Sequence, residues 1–490
     1  MKKIGLLVIP FFLSANGTLQ EKVAQLEKEI NSLKQDINYH QEDLDERIPI
    51  IEMVEKKSIL DKINLSPELL LRFDKFKYTN RSIEGETTMI YGNPDYQPDG
   101  TYNRRTDYTK EFAIASSLRF RLNMEMDLGE LKFHGRMLYM NASQANERIC
   151  ILSRDIKTGT AGSAFDIDRA YVDYTMNTTS SYPFTLSFGI LPTSGGTPMQ
   201  YSQGKKRSSM FPALVFDMNT YGLIGTQKLG ESTYARLILA KAYTLRANFY
   251  PYQCNRENID NAGVVGLYSD TAFHFLGNSL FSFGFNILRS LKAHPYLGPD
   301  VDSSDSHQLG NMLTLGMGLD IEKFANTQTT FFIHTALSNP HANTQEDDYK
   351  IVARADVNQT LADGLTYDGK VGFTEADYAS GGMLSSNGYA LYVGIKHEVF
   401  TNIQMGLEYN YGSKYWFSAT QGAEDMFNKL ATRGSAYELY STWNFHRNLN
   451  TKLAFMNIQE EYTGSGWHFG EPAKKDATQT IVSLSIEAKF

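Results

Sequence analysis

The chain has 490 residues, 42% of them apolar, with a formal net charge of −8 and two cysteines. The apolar share fits a folded protein, the charge argues against a general nucleic-acid binder, and two cysteines exclude a disulfide scaffold or a four-cysteine zinc site. No apolar run beyond the N-terminus approaches the roughly 20 residues of a membrane helix, whereas 29 Tyr, 29 Phe and 38 Gly suit a chain of many strands.

The chain opens with Lys2 and Lys3, an apolar stretch from Ile4 to Leu13, and small residues at Ala15 and Gly17. This pattern predicts a secretory signal peptide over 1–17. Leu19, Val23, Leu26, Ile30, Leu33, Ile37, His40 and Leu44 then recur at alternating spacings of 4 and 3, with charged and amide residues between them. That heptad predicts an α-helical coiled coil over 18–48, a rod of roughly 40 Å. Val and Ile at one core position and Leu at the other favour two parallel strands. A single amphipathic helix lying on the rest of the protein is the alternative. Residues 49–64, beginning at Pro49, read as a linker.

From residue 65 the period changes to two. Alternating segments fall at about 65–78, 110–126, 130–143, 164–177, 182–193, 212–228, 233–245, 262–274, 279–293, 308–322, 328–339, 386–400, 402–414, 433–446, 449–462 and 478–490. The last is the clearest: Val482, Leu484, Ile486, Ala488 and Phe490 alternate with Ser483, Ser485, Glu487 and Lys489. Connections after odd segments are long and those after even segments are short. A soluble sandwich or propeller does not put every long loop at one end. A transmembrane antiparallel β-barrel of about 16 strands does, and the expected fold class is all-β over 65–490. Both termini then share the short-turn side, which makes the helical rod periplasmic.

The alternation also assigns the lumen. In the second segment Phe112, Ile114, Leu118 and Phe120 face lipid, so Arg119 and Arg121 face inward. In the third, Lys132, His134 and Arg136 face inward; the fourth adds Arg169, Tyr171 and Asp173. A turn centred between Leu128 and Gly129 would oppose Glu125 to Lys132, Asn123 to His134 and Arg121 to Arg136. Acids point inward elsewhere round the ring: Asp320, Glu408 and Glu438. A field across the lumen is one reading of this distribution; mixed lining of any watery bore is the other.

The signal peptide, the strand count and the terminal Ser483–Phe490 strand resemble bacterial porins. So does the hairpin from Asp168 to Tyr174 followed by Phe184 to Gly189. The order of heptad rod and then barrel is similar to an uncharacterised porin-like family of Gram-negative bacteria. The resemblance covers residues 65–490. It implies an outer-membrane channel for passive diffusion of small hydrophilic solutes, surrounded by outer-membrane lipid. It implies a homo-oligomer, trimer before dimer, and Phe490 as the insertion signal read by the barrel assembly machinery. It also implies that the connection from Ser194 to Phe211 folds inward as a constriction; here that loop carries Lys205, Lys206 and Arg207, a departure from porins whose inserted loop is acidic, and together with the inward arginines these cations predict a modest anion preference. An ordinary surface loop is the alternative there. A substrate-specific channel, or an envelope anchor whose coiled coil holds the cell wall, are the other functions weighed. Cys150 and Cys254 fall in the second and fourth external loops, and either a disulfide or two separate thiols is open. The His residues form no metal motif, there is no Gly-x-Ser-x-Gly, and neither an enzyme nor a cofactor is expected.

Overall fold

The computed structural model describes residues 22, 24–35, 37, 62–81, 108–142, 163–242, 257–258, 262–293, 307–342, 384–420, 425, 427–462, 465, 472 and 474–490. The chain divides into two compact units, 1–63 and 64–490. In the first, residues 24–35 are helical, as the heptad predicts, and Leu26, Ile30, Leu33 and Ile37 are all at least half exposed. The signal peptide, most of the remaining heptad, Cys150 and Cys254 lie outside the described residues. No helix among those residues is long and apolar enough to cross a membrane.

The second unit holds sixteen long antiparallel strands. They are β1 (Ile63–Arg81), β2 (Tyr108–Asp127), β3 (Leu131–Ala142), β4 (Ser163–Met176), β5 (Phe184–Leu191), β6 (Thr220–Lys228), β7 (Thr233–Ala242) and β8 (Gly263–His274). They continue as β9 (Asn278–Ala293), β10 (His307–Glu322), β11 (Thr329–Ala342), β12 (Gly388–Phe400), β13 (Ile403–Gly412), β14 (Gly434–His446), β15 (Leu449–Tyr462) and β16 (Lys474–Lys489). A two-residue strand, Glu257–Asn258, pairs with the end of β9. Each long strand pairs with its neighbours in sequence, and β1 pairs with both β2 and β16. The sheet is therefore closed and has no free edge. The short connections are 128–130, 177–183, 229–232, 275–277, 323–328, 401–402 and 447–448, all at one end.

Period-two sequence becomes a two-faced wall. On β16, Val482, Leu484 and Ile486 are 37–43% exposed on the outside, while Ile481, Ser483 and Glu487 are buried inside. The same outward apolar row runs through Leu237 and Leu239, Met317, Leu407, Leu439 and Phe455. Tyr409 and Tyr437 meet at 4.8 Å, tilted by 44°, toward the long-loop end of this band, and Trp443 and Phe445 meet at 6.1 Å toward the short-turn end. A closed barrel with an apolar girdle between aromatic rows is the form that satisfies every backbone group within lipid.

Three expectations need correction. First, β2 and β3 pair two residues away from the expected register: Asp127 opposes Lys132, Glu125 opposes His134, and Asn123 opposes Arg136. The turn centres on Gly129–Glu130, because Gly129 supplies the positive φ, +88°, that a two-residue hairpin needs at its first position. Arg121 thus faces Leu138, not Arg136. Second, residues 212–219 are not part of a wall strand. Leu214, Val215, Phe216 and Met218 are buried within the barrel, and β6 begins only at Thr220. Third, β4 is not regular. Arg136 opposes Arg169 and Met137 opposes Ile167, so Asp168 is an extra residue, a bulge that brings two consecutive side chains to the lumen.

Candidate functional site

Two long connections fold into the barrel. The third, residues 192–219 (L3), leaves β5 and includes one short helix, α1 (Met199–Gln203). Its first turn is tight: a Cβ on Gly196 would stand 1.6 Å from the Phe211 carbonyl oxygen, so only glycine fits. The Thr197 hydroxyl donates to Asp320 Oδ2 on β10 at 2.6 Å. The Tyr201 ring stacks on Phe332 of β11 at 5.6 Å, and its hydroxyl donates to Glu322 at 3.3 Å. Burial, and then the charges of Asp320 and Glu322, push that hydroxyl well above its ordinary range, so it remains a donor. Beyond the helix, Phe211, Leu214, Val215 and Phe216 pack with Ile238, Tyr268, Leu288 and Met312 of the wall. Each such buried side chain is worth about 1.5–3 kcal/mol.

The seventh long connection, residues 413–433 (L7), also turns inward. Trp416, Phe417 and Leu430 join the same apolar cluster as L3, and Phe427 joins a second one with Phe76, Met456 and Ile481. The two loops touch: the Asp217 N–H donates to the Ala419 carbonyl at 2.9 Å. Neither cluster draws a residue from β2 or β3. Among the described residues, the two loops thus pack mainly against the rest of the ring.

The β2–β4 sector is basic. Arg119 and Arg121 on β2, Arg136 on β3 and Arg169 on β4 project inward as the alternation predicts. The Asp168 bulge answers Arg136 with a two-pronged bond, 2.7 and 2.6 Å, and lies 4.0 Å from Arg121. Glu487 on β16 lies 3.6 Å from Arg119 and 2.5 Å from Lys205 of L3. Arg169 donates to the carbonyls of Ser194 and Ser208 and so braces the base of L3. Among the described residues, Asp168 and Glu487 thus stand between Arg119, Arg121, Arg136, Arg169, Lys205 and Lys489. Lower on the same wall, His134 stacks on Tyr171 at 4.7 Å and its Nε2 is 3.4 Å from Asp173. Lys132 is at the short-turn rim, half exposed and bound to Asp127 at 2.7 Å, away from the arginines.

The acids expected on the far wall also face inward, but they are answered. Asp320 accepts from Thr197 and lies 3.1 Å from His334 Nε2. Glu408 and Glu438 oppose each other directly on β13 and β14. Lys429 of L7 inserts its ammonium between them, Tyr392 donates to Glu408 at 2.5 Å, and Lys452 reaches Glu438 at 2.6 Å. Burial alone would lower the Lys429 pKa; the two carboxylates outweigh it and hold the ammonium well above its usual range. A cavity of about 60 Å³, bounded by α1, Lys429, Glu438, Lys452 and Arg72, separates the two loops on this side. Sequence reasoning missed Asp168, Lys429, Lys452, Asp270 and Glu487 as lumen residues. Asp168 and Arg169 side by side were a signal, since a regular strand would turn one of two adjacent charges to lipid.

The cations of L3 are not alike. Lys205 is bound to Glu487, Arg207 Nη2 is 3.1 Å from Asp270 on β8, and Lys206 is exposed. The terminal Phe490 is 72% exposed, and its N–H donates to the Pro67 carbonyl of β1 at 3.0 Å.

A family model described as "Protein of unknown function (DUF3373)" matches residues 109–487. No curated protein matches the sequence. Among solved structures, the chain is similar to OprB of Pseudomonas putida, with 10% identity, 89% of this chain and 96% of that chain covered, and a TM-score of 0.46. It is similar to the outer membrane channel DcaP of Acinetobacter baumannii, with 12% identity, 88% and 98% coverage, and a TM-score of 0.42. It is similar to OmpF of Salmonella typhi in complex with daunomycin, with 9% identity, 87% and 97% coverage, and a TM-score of 0.41.

Proposed function

The chain belongs to the DUF3373 family, and we propose that it is a porin-like outer-membrane channel for small hydrophilic solutes with a modest preference for anions. One observation carries the reading. The closed, lipid-facing barrel gathers Arg119, Arg121, Arg136 and Arg169 on three neighbouring strands, and neither inserted apolar cluster draws a buried residue from the first two of these strands. Sixteen strands enclose enough room for an aqueous path, and no chemistry is needed beyond bore, field and lining. Local charge governs selectivity more than the net −8, because surface charges beyond about 8 Å are screened at physiological salt. Phe490, at the end of β16, serves as the insertion signal for the barrel assembly machinery. The exposed heptad seam at Leu26, Ile30, Leu33 and Ile37 supports periplasmic self-association of the helical segment, and the barrel is taken as a trimer.

The test is conductance of the purified protein in planar bilayers, with uptake of size-matched anionic and cationic solutes into liposomes. Ohmic steps and faster anion entry support the reading; steps blocked by one solute point to a substrate-specific channel. A second reading, an envelope anchor with a plugged barrel, draws on the same two inserted loops and on the exposed seam. Absence of any conductance would favour it and overturn the channel.

A further inference from the structure

We propose that Lys206 is the residue of L3 that sets ion preference, and that Lys205 and Arg207 are positioning residues that stretch the loop across the bore. The proposal rests on the channel reading. Lys205 Nζ holds Glu487 on β16 and Arg207 Nη2 holds Asp270 on β8. In a ring of sixteen strands these two are eight apart, on opposite walls. Residues separated by one position thus grip both sides of the barrel. The ends of this strut are fixed further: Gly204 lies against the Thr442 methyl on β14, and the Ser208 carbonyl accepts from Arg169 on β4. Both anchoring carboxylates are buried, at 3% and 4% exposure.

Pairing decides which charge a solute meets. The Lys205 ammonium is held by Glu487, which it shares with Arg119 and Lys489. Arg207 shares Asp270 with Arg236, whose Nη1 is 3.4 Å from the other carboxylate oxygen. Lys206 sits between the anchors, exposed, with no hydrogen bond or ion pair to a described residue. An uncompensated ammonium held in mid-bore attracts anions more effectively than paired ones at the wall. A lysine serves as a mobile point charge and so takes a carboxylate, a phosphate or chloride without demanding one geometry. Where a single run of three cations suggested one basic patch, the contacts divide it into two anchors and one reader.

The experiment uses the full-length protein in planar bilayers under a KCl gradient, with heat-modifiable gel mobility as the check on folding. Lys206→Glu should lower the chloride-to-potassium permeability ratio by about threefold or more, and Lys206→Gln by less, with open-channel conductance little changed. Lys205→Gln/Arg207→Gln should instead raise conductance and its noise, because the strut is released, with a smaller change in the ratio. A ratio that is unmoved in Lys206→Glu but shifts in the anchor pair overturns the assignment while leaving the channel standing. A wild-type protein that folds and does not conduct overturns the channel reading and this proposal together.

Discussion

Lys429 is the most exposed point of weakness in the inserted half of the lumen. Its side chain is 2% accessible, wedged between Glu408 and Glu438 at 1% and 4%. Lys429→Met keeps the aliphatic bulk and deletes the charge, leaving two directly opposed carboxylates with one lysine, Lys452, on Glu438. Removing one partner from a buried ion pair costs about 3–5 kcal/mol, mostly from the charge left behind. If that cost falls on docking of L7, the opening equilibrium rises by roughly two to nearly four orders of magnitude. Hydrogen exchange in lipid nanodiscs reads this directly. The amides of Trp416, Asn428 and Ala431, each bonded within L7, should lose protection while those of β13 and β14 keep theirs. Lys429→Met/Glu408→Gln removes the orphaned charge and should regain most of the loss, as a double-mutant cycle requires for a direct pair. The wild type should show no opening between about pH 5 and 9. A lysine pKa raised on folding contributes its full stability below the unfolded value of about 10.4, and loses it only as pH rises through the higher folded value. Unchanged exchange in Lys429→Met, or equal loss in the single and double variants, would refute the idea that this lysine holds the loop.

Three further outcomes follow from the geometry. Asp168→Asn strips the charge that Arg136 and Arg121 share, so urea unfolding from liposomes should show a loss of about 3 kcal/mol or more, and reversal potential should move toward chloride; a move toward potassium would contradict the basic-sector assignment. Gly196→Ala places a carbon 1.6 Å from the Phe211 oxygen, so L3 must shift, and its amides should exchange faster with a larger, noisier conductance; identical traces would show that the turn is not needed. A peptide of residues 18–48 should sediment as an oligomer, and Ile30→Asp, which puts a charge in the seam, should sediment as a monomer; a monomeric parent peptide would end the coiled-coil proposal.

Much of the barrel was legible because lipid imposes a rule on each strand. Outward positions must be apolar, so Val482, Leu484 and Ile486 identify the face, and Arg119, Arg121 and Arg136 fall inside by exclusion. The same rule misleads where a loop re-enters. Leu214, Phe216 and Met218 alternate like a wall strand, yet their apolar partners are Tyr268 and Leu288 inside the lumen, not lipid. Period two reports that one side of a segment meets something apolar; it does not report what. For L7 the clue was composition: Trp416, Phe417 and Phe427 are costly ornaments for a loop in water, and all three are fully buried.

The re-entrant loops also change what a strand count implies. Sixteen strands alone suggest a wide, weakly discriminating bore. Here L3 and L7 place apolar side chains against β5–β12 and against β14–β16 and β1, and the acids of that side are answered by Lys429 of L7 and by Lys452 of the wall strand β15. Among the described residues, Asp168 lies against Arg136 and Arg121, and Glu487 is shared by Arg119, Lys205 and Lys489. On the channel reading proposed above, a chain of net charge −8 presents a positive path where acids set against lysines are cancelled within a few ångströms. On that reading selectivity belongs to how loop and wall residues together place counter-charges round the ring, more than to net composition.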